Sequence, residues 1–135
     1  MSRIAETVGH HRAVRRLIRK RRQQPEAALQ RAVFEHLRWR GVPGWRIWST
    51  PNAARRSPRL GAELKKQGMT AGVGDISALS PDGRYHELEL KTERGRLSPA
   101  QRKRLEAVAA TGCRAEVAYG LDDALRKLQA WGAIR

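Results

Sequence analysis

The sequence predicts an α/β fold in which a small mixed central sheet is flanked by helices on both faces. Segments with apolar residues at helical spacing alternate along the chain with short segments in which apolar and polar residues alternate. The order is helix, strand, short helix, two strands, helix, strand and helix, which is typical of a layered α/β domain. The chain has 135 residues and a hydrophobic content of 40%, enough for one domain with its own core.

The first half of the folded domain is expected to begin with a helix at 25–40. Pro25 suits the first helical turn, where its missing N–H costs nothing, and Gly41 provides a stop. Apolar and polar residues alternate at 45–49, which predicts the first strand. A loop rich in Ala, Arg, Ser and Pro follows, and a short helix is predicted at 60–67.

A hairpin is predicted at the start of the second half. Apolar residues after Gly74 predict a strand at 75–79, and Pro-Asp-Gly at 81–83 is typical of a tight turn into a third strand at 85–91. The remaining predicted elements are a helix at 98–110, a strand at 114–119 and a helix at 121–131.

The chain is strongly basic, with 28 Lys and Arg against 13 Asp and Glu and a net charge of +15. Such an excess favours a polyanionic partner, most often nucleic acid, because bound phosphates release their counterions. Residues 1–22 carry eight of the basic side chains and one acid, so we interpret 1–22 as a basic N-terminal arm and 23–135 as the folded domain. The arm is either a solvated tail or a segment that contacts phosphates through Arg15, Arg16 and Arg19; a transit peptide is the weaker third alternative.

The pattern contains no signal for membrane insertion or secretion. No apolar run approaches the roughly 20 residues that a membrane-spanning helix needs. The N-terminal region lacks the apolar stretch of a secretory signal. Cys113 is the only cysteine, so an internal disulfide is impossible. We therefore expect no membrane partner and a reducing, cytoplasmic compartment.

The third strand carries the most informative charges. Alternate residues of a strand point the same way, so Glu87, Glu89 and Lys91 share one face. The hairpin brings Asp75 beside the end of this strand, where its carboxylate could meet Glu89 and Lys91. Two carboxylates placed so close repel each other unless a cation lies between them. The alternative is an edge strand with a solvated charged face.

Three segments together resemble the virus-type replication-repair nuclease (VRR-NUC) domain of the PD-(D/E)XK, or restriction-endonuclease-like, superfamily. They are the glycine-rich stretch 67–75 that ends in Gly74-Asp75, the Glu89-Leu90-Lys91 triplet, and the Gly-Arg-Leu-Ser-Pro-Ala-Gln stretch at 95–101. The resemblance spans about 26–120 and has one departure, since Gly74 stands where a proline is common.

The resemblance implies a restriction-endonuclease-like fold and a Mg²⁺-dependent nuclease that hydrolyses DNA phosphodiesters, with Mn²⁺ able to substitute. Standalone domains of this family look like Holliday-junction resolvases. A structure-selective endonuclease, acting as a homodimer on branched DNA in repair, recombination or replication, is therefore expected. Its setting would be the cytoplasm of a bacterium or of a phage-infected host. The alternative from another class is a non-catalytic nucleic-acid-binding protein that retains the fold.

The resemblance also assigns the metal ligands. Asp75 and Glu89 would bind the metal, with the backbone carbonyl of Leu90 as a third ligand. Few protein ligands suffice, since octahedral Mg²⁺ usually keeps several waters. Glu26 would be a further ligand, direct or through water. An acid in the first helical turn also favours the helix dipole, so a purely structural Glu26 remains the alternative.

Two further residues receive catalytic roles from the resemblance. Lys91 would orient or help deprotonate the attacking water and stabilise the charge that develops on the phosphate. Gln101 would lie at the site. The spacing Ser98-x-x-Gln101 is also a capping box, so the amide is expected to cap its own helix as well or instead.

The other prominent side chains have less specific interpretations. Candidate phosphate contacts, each of which is equally well a solvated surface charge, are Arg55, Arg56, Arg59, Lys65 and Lys66. Residues expected to be structural are Trp45, Trp48, Trp131 and His86. Nothing in the sequence resembles a zinc site or a Ser/His/Asp arrangement.

Overall fold

The computed structural model describes residue 15 and residues 25–50 and 57–135. Arg15 is helical and exposed. The other predicted phosphate contacts of the arm and of the first loop, Arg16, Arg19, Arg55 and Arg56, lie outside the described residues. Within the described part of the chain, no helix is long and apolar enough to cross a membrane.

A four-stranded mixed sheet forms the centre of the domain. Its strands are β1 (Arg46–Ser49), β2 (Ile76–Leu79), β3 (Tyr85–Lys91) and β4 (Arg114–Tyr119), in the order β1-β2-β3-β4. β2 is antiparallel to both β1 and β3, whereas β4 runs parallel to β3. The predicted fold class, a small mixed sheet between helices, is confirmed.

The helices follow the predicted positions with small shifts at their ends. They are α1, described over 25–40, α2 (Pro58–Lys66), α3 (Pro99–Ala110) and α4 (Leu121–Trp131). α2 begins two residues earlier than predicted because the hydroxyl of Ser57 accepts a hydrogen bond from the amide of Leu60 at 3.2 Å and caps the helix.

The main core lies on one face of the sheet. Leu88 and Leu90 of β3 pack there with Val33 of α1 and Leu128 of α4, and all four are at most 1% exposed. α3 packs on the opposite face against β3 and β4 and buries Leu105 and other apolar side chains of its own. Helices therefore cover both faces, as the sequence predicted.

The predictions for the tryptophans are confirmed in two positions and wrong in one. His86 is buried between Trp45 and Trp131, with ring centroids 5.0 and 4.8 Å away, and burial lowers its pKa. These three side chains are structural. Trp48, by contrast, is 42% exposed. It belongs to β1, which is the edge strand of the sheet formed by the described residues.

β3 is a central strand rather than an edge strand. It lies between β2 and β4, and its polar face is covered, so that Glu87, Glu89 and Lys91 are 0%, 2% and 8% exposed. The alternative of a solvated charged face is therefore wrong. The predicted hairpin is present, with Leu79 opposite Tyr85 and Ile76 opposite Leu88. This register carries Asp75, the residue before Ile76, to the position beside Glu89.

Candidate functional site

Asp75 lies just beyond the N-terminal end of β2, where the ladder with β3 stops. Its Oδ2 accepts a hydrogen bond from the amide of Leu90 at 2.8 Å, and its backbone carbonyl accepts one from Thr50 at 2.9 Å. The carboxylate thus satisfies an amide of β3 that has no strand partner, because β2 starts only at Ile76. The N–H and C=O of one strand residue point to the same side, so the carbonyl of Leu90 also faces Asp75.

Glu89 is a buried carboxyl with one oxygen that no hydrogen bond satisfies. Its Oε1 accepts from Nε2 of Gln101 at 2.6 Å and lies 3.5 Å from Nζ of Lys91. Its Oε2 is buried and accepts no hydrogen bond from the described residues, while a hydrogen bond with Asp75, which requires a proton on the carboxyl pair, contributes to the raised pKa of Glu89. Burial, and after it the charge of Asp75, raise the pKa of Glu89 from 4.5 to about 8. The metal-free site therefore favours a proton on Glu89 at neutral pH.

Lys91 brings α1 into the same cluster. Its side chain is 10% exposed, and its Nζ lies 3.9 Å from Oε1 of Glu26 as well as 3.5 Å from Oε1 of Glu89. Glu26 is more open, with 43% of its side chain exposed. The ammonium group is thus held between two carboxylates from different elements, with one edge of the group open to solvent.

Gln101 caps its own helix and also contacts Glu89. Its backbone amide donates to Oγ of Ser98 at 3.1 Å, and its side-chain Oε1 accepts from the amide of Ser98 at 2.9 Å, which completes the capping box. Its Nε2 remains available and donates to Glu89. Because the cap fixes the amide oxygen, it also fixes which atom of the side chain points at Glu89.

The glycine-rich turn before Asp75 packs directly on the start of α3. Gly72 has φ +78°, and a Cβ at this position would lie 2.5 Å from the carbonyl oxygen of Ala100 and 3.0 Å from the amide of Gln101. Only glycine accommodates both the left-handed conformation and this approach. The glycine-rich turn that precedes Asp75 therefore packs against α3, the helix that contains Gln101.

The structure brings together every predicted residue of the central cluster, namely Glu26, Asp75, Glu89, Leu90, Lys91 and Gln101. The predicted phosphate contacts on α2 are Arg59, Lys65 and Lys66, and all three are exposed. α2 contains no buried residue, so these side chains are accessible to a ligand and equally to solvent. Both interpretations of them remain open.

Sequence reasoning missed the role of Glu87, which is fully buried beside the cluster. Its Oε1 accepts from the amide of Gly74 at 2.5 Å, and Nε of Arg104 lies 3.3 Å from its Oε2. Two signals were available: Glu87 shares the face of Glu89, and Arg104 follows Gln101 by one helical turn. Arg94 and Arg96 were also overlooked. They are exposed in the loop between Lys91 and α3.

The donor set fits a hard divalent cation. Within 25–50 and 57–135 no three His, Cys, Asp or Glu side chains form a ready metal cluster. Two carboxylates and a backbone carbonyl nevertheless suffice for Mg²⁺, which keeps several waters. The unsatisfied Oε2 of Glu89 and the raised pKa of this carboxyl are what two neighbouring carboxylates show when no cation lies between them.

Comparison with known proteins identifies the family of the chain. The family model of the VRR-NUC domain matches residues 13–122. A solved structure described as a VRR_NUC domain protein superimposes with a TM-score of 0.66 at 25% identity, over 78% of this chain and 86% of the other. A second, described as a VRR_NUC domain, has a TM-score of 0.52 at 18% identity over 78% and 94%, and it supports the fold alone. No curated protein matches the sequence.

Proposed function

The chain belongs to the VRR-NUC family of nucleases, and on that premise we propose that it hydrolyses DNA phosphodiester bonds with a divalent cation held at Asp75 and Glu89. The observation that carries this proposal is the buried carboxyl of Glu89 beside the carboxylate of Asp75, an arrangement that raises the pKa of Glu89 to about 8. Phosphate binding alone does not require two neighbouring carboxylates, whereas a hard divalent cation does take carboxylate oxygens as ligands.

Asp75 and Glu89 are the proposed side-chain ligands, and the carbonyl of Leu90 is the proposed backbone ligand. Mg²⁺, or Mn²⁺ in its place, would supply an acidified water and neutralise charge on the phosphate. Glu26, which lies 3.9 Å from Lys91 and is 43% exposed, would be a further ligand, direct or through water.

Lys91 supplies the positive group next to the reacting phosphate. Its ammonium is restrained by Glu89 and Glu26, so little ordering of the side chain is needed when substrate binds. In this position it orients the attacking water and stabilises the negative charge that builds up on the phosphate oxygens. Gln101 donates to Oε1 of Glu89, so Oε2 would be the oxygen that binds the cation.

The basic surface provides the proposed DNA contacts. Arg94 and Arg96 are exposed in the loop that follows Lys91, and Arg59, Lys65 and Lys66 are exposed on α2. The residues outside the described part, Arg16, Arg19, Arg55 and Arg56, and exposed Arg15 remain proposed phosphate contacts. A junction-resolving role would further need two active sites related by a two-fold axis, hence a homodimer.

The test is cleavage of a four-way junction, a flap and a linear duplex with Mg²⁺, with Mn²⁺ or with EDTA. We expect cutting that requires the metal and favours the branched substrates. Binding of all three substrates without metal-dependent cutting would assign the chain to the non-catalytic alternative. Equal cutting of linear and branched DNA would retain the nuclease but remove the structure selectivity.

A further inference from the structure

We propose that Glu87 and Arg104 form a positioning pair that holds the Asp75 turn and α3 in the geometry of the active site. The inference rests on the proposed nuclease function, in which Asp75 and Glu89 bind the cation and Gln101 orients Glu89. Neither residue of the pair belongs to the cluster itself. Their importance follows from what they contact.

Glu87 is a charge that the fold buries completely. Its side chain is 0% exposed, and removal of a carboxylate from water is costly unless hydrogen bonds and an opposite charge compensate. Compensation comes from two groups, the amide of Gly74 at 2.5 Å and Nε of Arg104, which lies 3.3 and 3.4 Å from the two carboxylate oxygens. With no exposed surface, Glu87 cannot touch DNA, so any effect on catalysis must pass through these partners.

The first partner connects Glu87 to Asp75. Gly74 immediately precedes Asp75, and its amide donates a hydrogen bond to the carboxylate of Glu87. The amide of Thr50 donates to the backbone carbonyl of Asp75, so the backbone on both sides of the Asp75 Cα is held. The turn also lies unusually close to β3, since a Cβ on Gly74 would be 2.8 Å from Cγ of Glu87 and 3.0 Å from the carbonyl oxygen of Leu88. Glu87 therefore packs against the turn and also accepts a hydrogen bond from it.

The second partner connects Glu87 to α3. Arg104 and Gln101 are three residues apart on the helix, so they lie on one face, and they contact Glu87 and Glu89, which are two residues apart on β3. The rise is about 4.5 Å along the helix and about 6.6 Å along the strand, so the long arginine side chain spans the difference. Two such contacts fix the position of α3 along β3, whereas a single contact would allow α3 to shift along the strand.

The pair thus sets three parts of the site at once: the backbone of Asp75, the placement of Gln101 and, through Gln101, the orientation of Glu89. Loss of Glu87 is expected to lower the rate of cleavage without weakening DNA binding. Small displacements of reacting groups reduce rates by about 10-fold to 100-fold. DNA affinity rests instead on exposed basic residues, which the change leaves in place.

The experiment compares Glu87→Ala, Glu87→Gln and Arg104→Lys with a matched control, Glu116→Ala. Glu116 lies opposite Leu88 on the neighbouring strand β4, on the face of the sheet that carries Leu88 rather than Glu87, and it accepts a hydrogen bond from Nε1 of Trp131 at 2.5 Å. Its removal costs stability in a similar way and should leave the active site intact. All variants are measured at a temperature at which circular dichroism shows them folded.

Two readouts separate positioning from general destabilisation. In single-turnover cleavage with Mn²⁺, we expect Glu87→Ala to lose about 10-fold or more in rate with DNA affinity in EDTA unchanged. Glu87→Gln and Arg104→Lys, which keep the acceptor and the charge respectively, should recover part of the rate, and Glu116→Ala should cut like wild type. A folded Glu87→Ala that cuts at the wild-type rate overturns the proposal.

The second readout does not depend on activity and keeps the test valid if the protein proves not to cut DNA. It is amide hydrogen exchange at Leu90, whose N–H donates to the Asp75 carboxylate. If Glu87 positions Asp75, then Glu87→Ala should speed exchange at Leu90 about fivefold or more, the equivalent of one ordinary hydrogen bond. Glu116→Ala should leave it unchanged. Faster exchange confined to Gly74 contradicts a positioning role. Where Glu87→Ala does not fold, Arg104→Lys should give a smaller increase at Leu90, and an unchanged rate there contradicts the proposal.

Discussion

Replacement of Glu89 with glutamine should stabilise the metal-free protein at alkaline pH while it abolishes cleavage. The variant keeps the shape of the side chain and an oxygen to accept from Gln101, but it removes the charge that burial and Asp75 disfavour. The proposed cation needs the negative charge of Glu89, whereas the buried site without the cation disfavours it. Stability and activity are therefore expected to move in opposite directions.

The magnitude follows from the pKa of Glu89, which rises from 4.5 to about 8 on folding. The unfolded chain ionises Glu89 near pH 4.5, whereas the folded protein keeps the proton until about pH 8. The wild-type free energy of unfolding thus falls as pH rises through this window and levels off above it. This rise in the pKa of Glu89 limits the gain in the free energy of unfolding from Glu89→Gln to about 5 kcal/mol. Relaxation of the site should reduce the observed gain to about 1–3 kcal/mol.

The assay is urea unfolding in EDTA at pH 4.5 and pH 9, with Glu106→Gln as the control that removes the same charge from an exposed position on α3. The two variants should match wild type within error at pH 4.5. At pH 9 only Glu89→Gln should be more stable. An advantage of Glu89→Gln that is equal at both pH values, or absent at pH 9, refutes the electrostatic account of the site.

Three further predictions concern other parts of the molecule. Lys91→Met should lower the rate of single-turnover cleavage by about 100-fold or more with little change in DNA affinity. The substitution removes the charge proposed to lie beside the phosphate and keeps the length of the side chain. A variant that cuts at the wild-type rate would exclude this role of Lys91. Gly72→Ala should destabilise the protein by at least about 1–3 kcal/mol in thermal or urea unfolding, because its Cβ would meet the backbone of Ala100 at 2.5 Å. Gly68→Ala is the matched control, since φ is also positive there but a Cβ would meet nothing within 4 Å; equal costs at both positions would show that the contact with α3 is unimportant. Residues 1–22 carry eight basic side chains and one acid. Their removal should weaken DNA binding most at low salt and reduce the salt dependence of binding. An unchanged salt dependence would identify the arm as a solvated tail.

Local patterns predicted much of the site because the distances involved are short. Period-two alternation placed Glu89 and Lys91 on one face, and the tight turn at 81–83 fixed the register that carries Asp75 to them. The capping box at Ser98 and Gln101 was predicted from spacing alone. Its side-chain geometry leaves the amide nitrogen available for Glu89, which is why one residue serves two purposes.

The features that the sequence did not predict depend on long-range packing. Alternation specifies which residues share a face of a strand, but the covering of that face depends on strand order and helix placement. For this reason Glu87 looked like a neighbour of Glu89 without a role, and its contact with Arg104 appears only once α3 lies on β3. Trp48 was expected to be buried but is exposed, because the residue pattern of β1 does not reveal that β1 is an edge strand.

The central claim, that Asp75 and Glu89 hold a cation that enables DNA cleavage, is tested most directly by single-turnover cleavage of a four-way junction by wild type and Asp75→Asn. Asp122→Asn, which removes the same charge from an exposed position on α4, is the control. The account predicts Mg²⁺- or Mn²⁺-dependent cutting by wild type and Asp122→Asn, and DNA binding without cutting by Asp75→Asn. Cleavage by Asp75→Asn at the wild-type rate, or cutting by wild type that continues in EDTA, would contradict it.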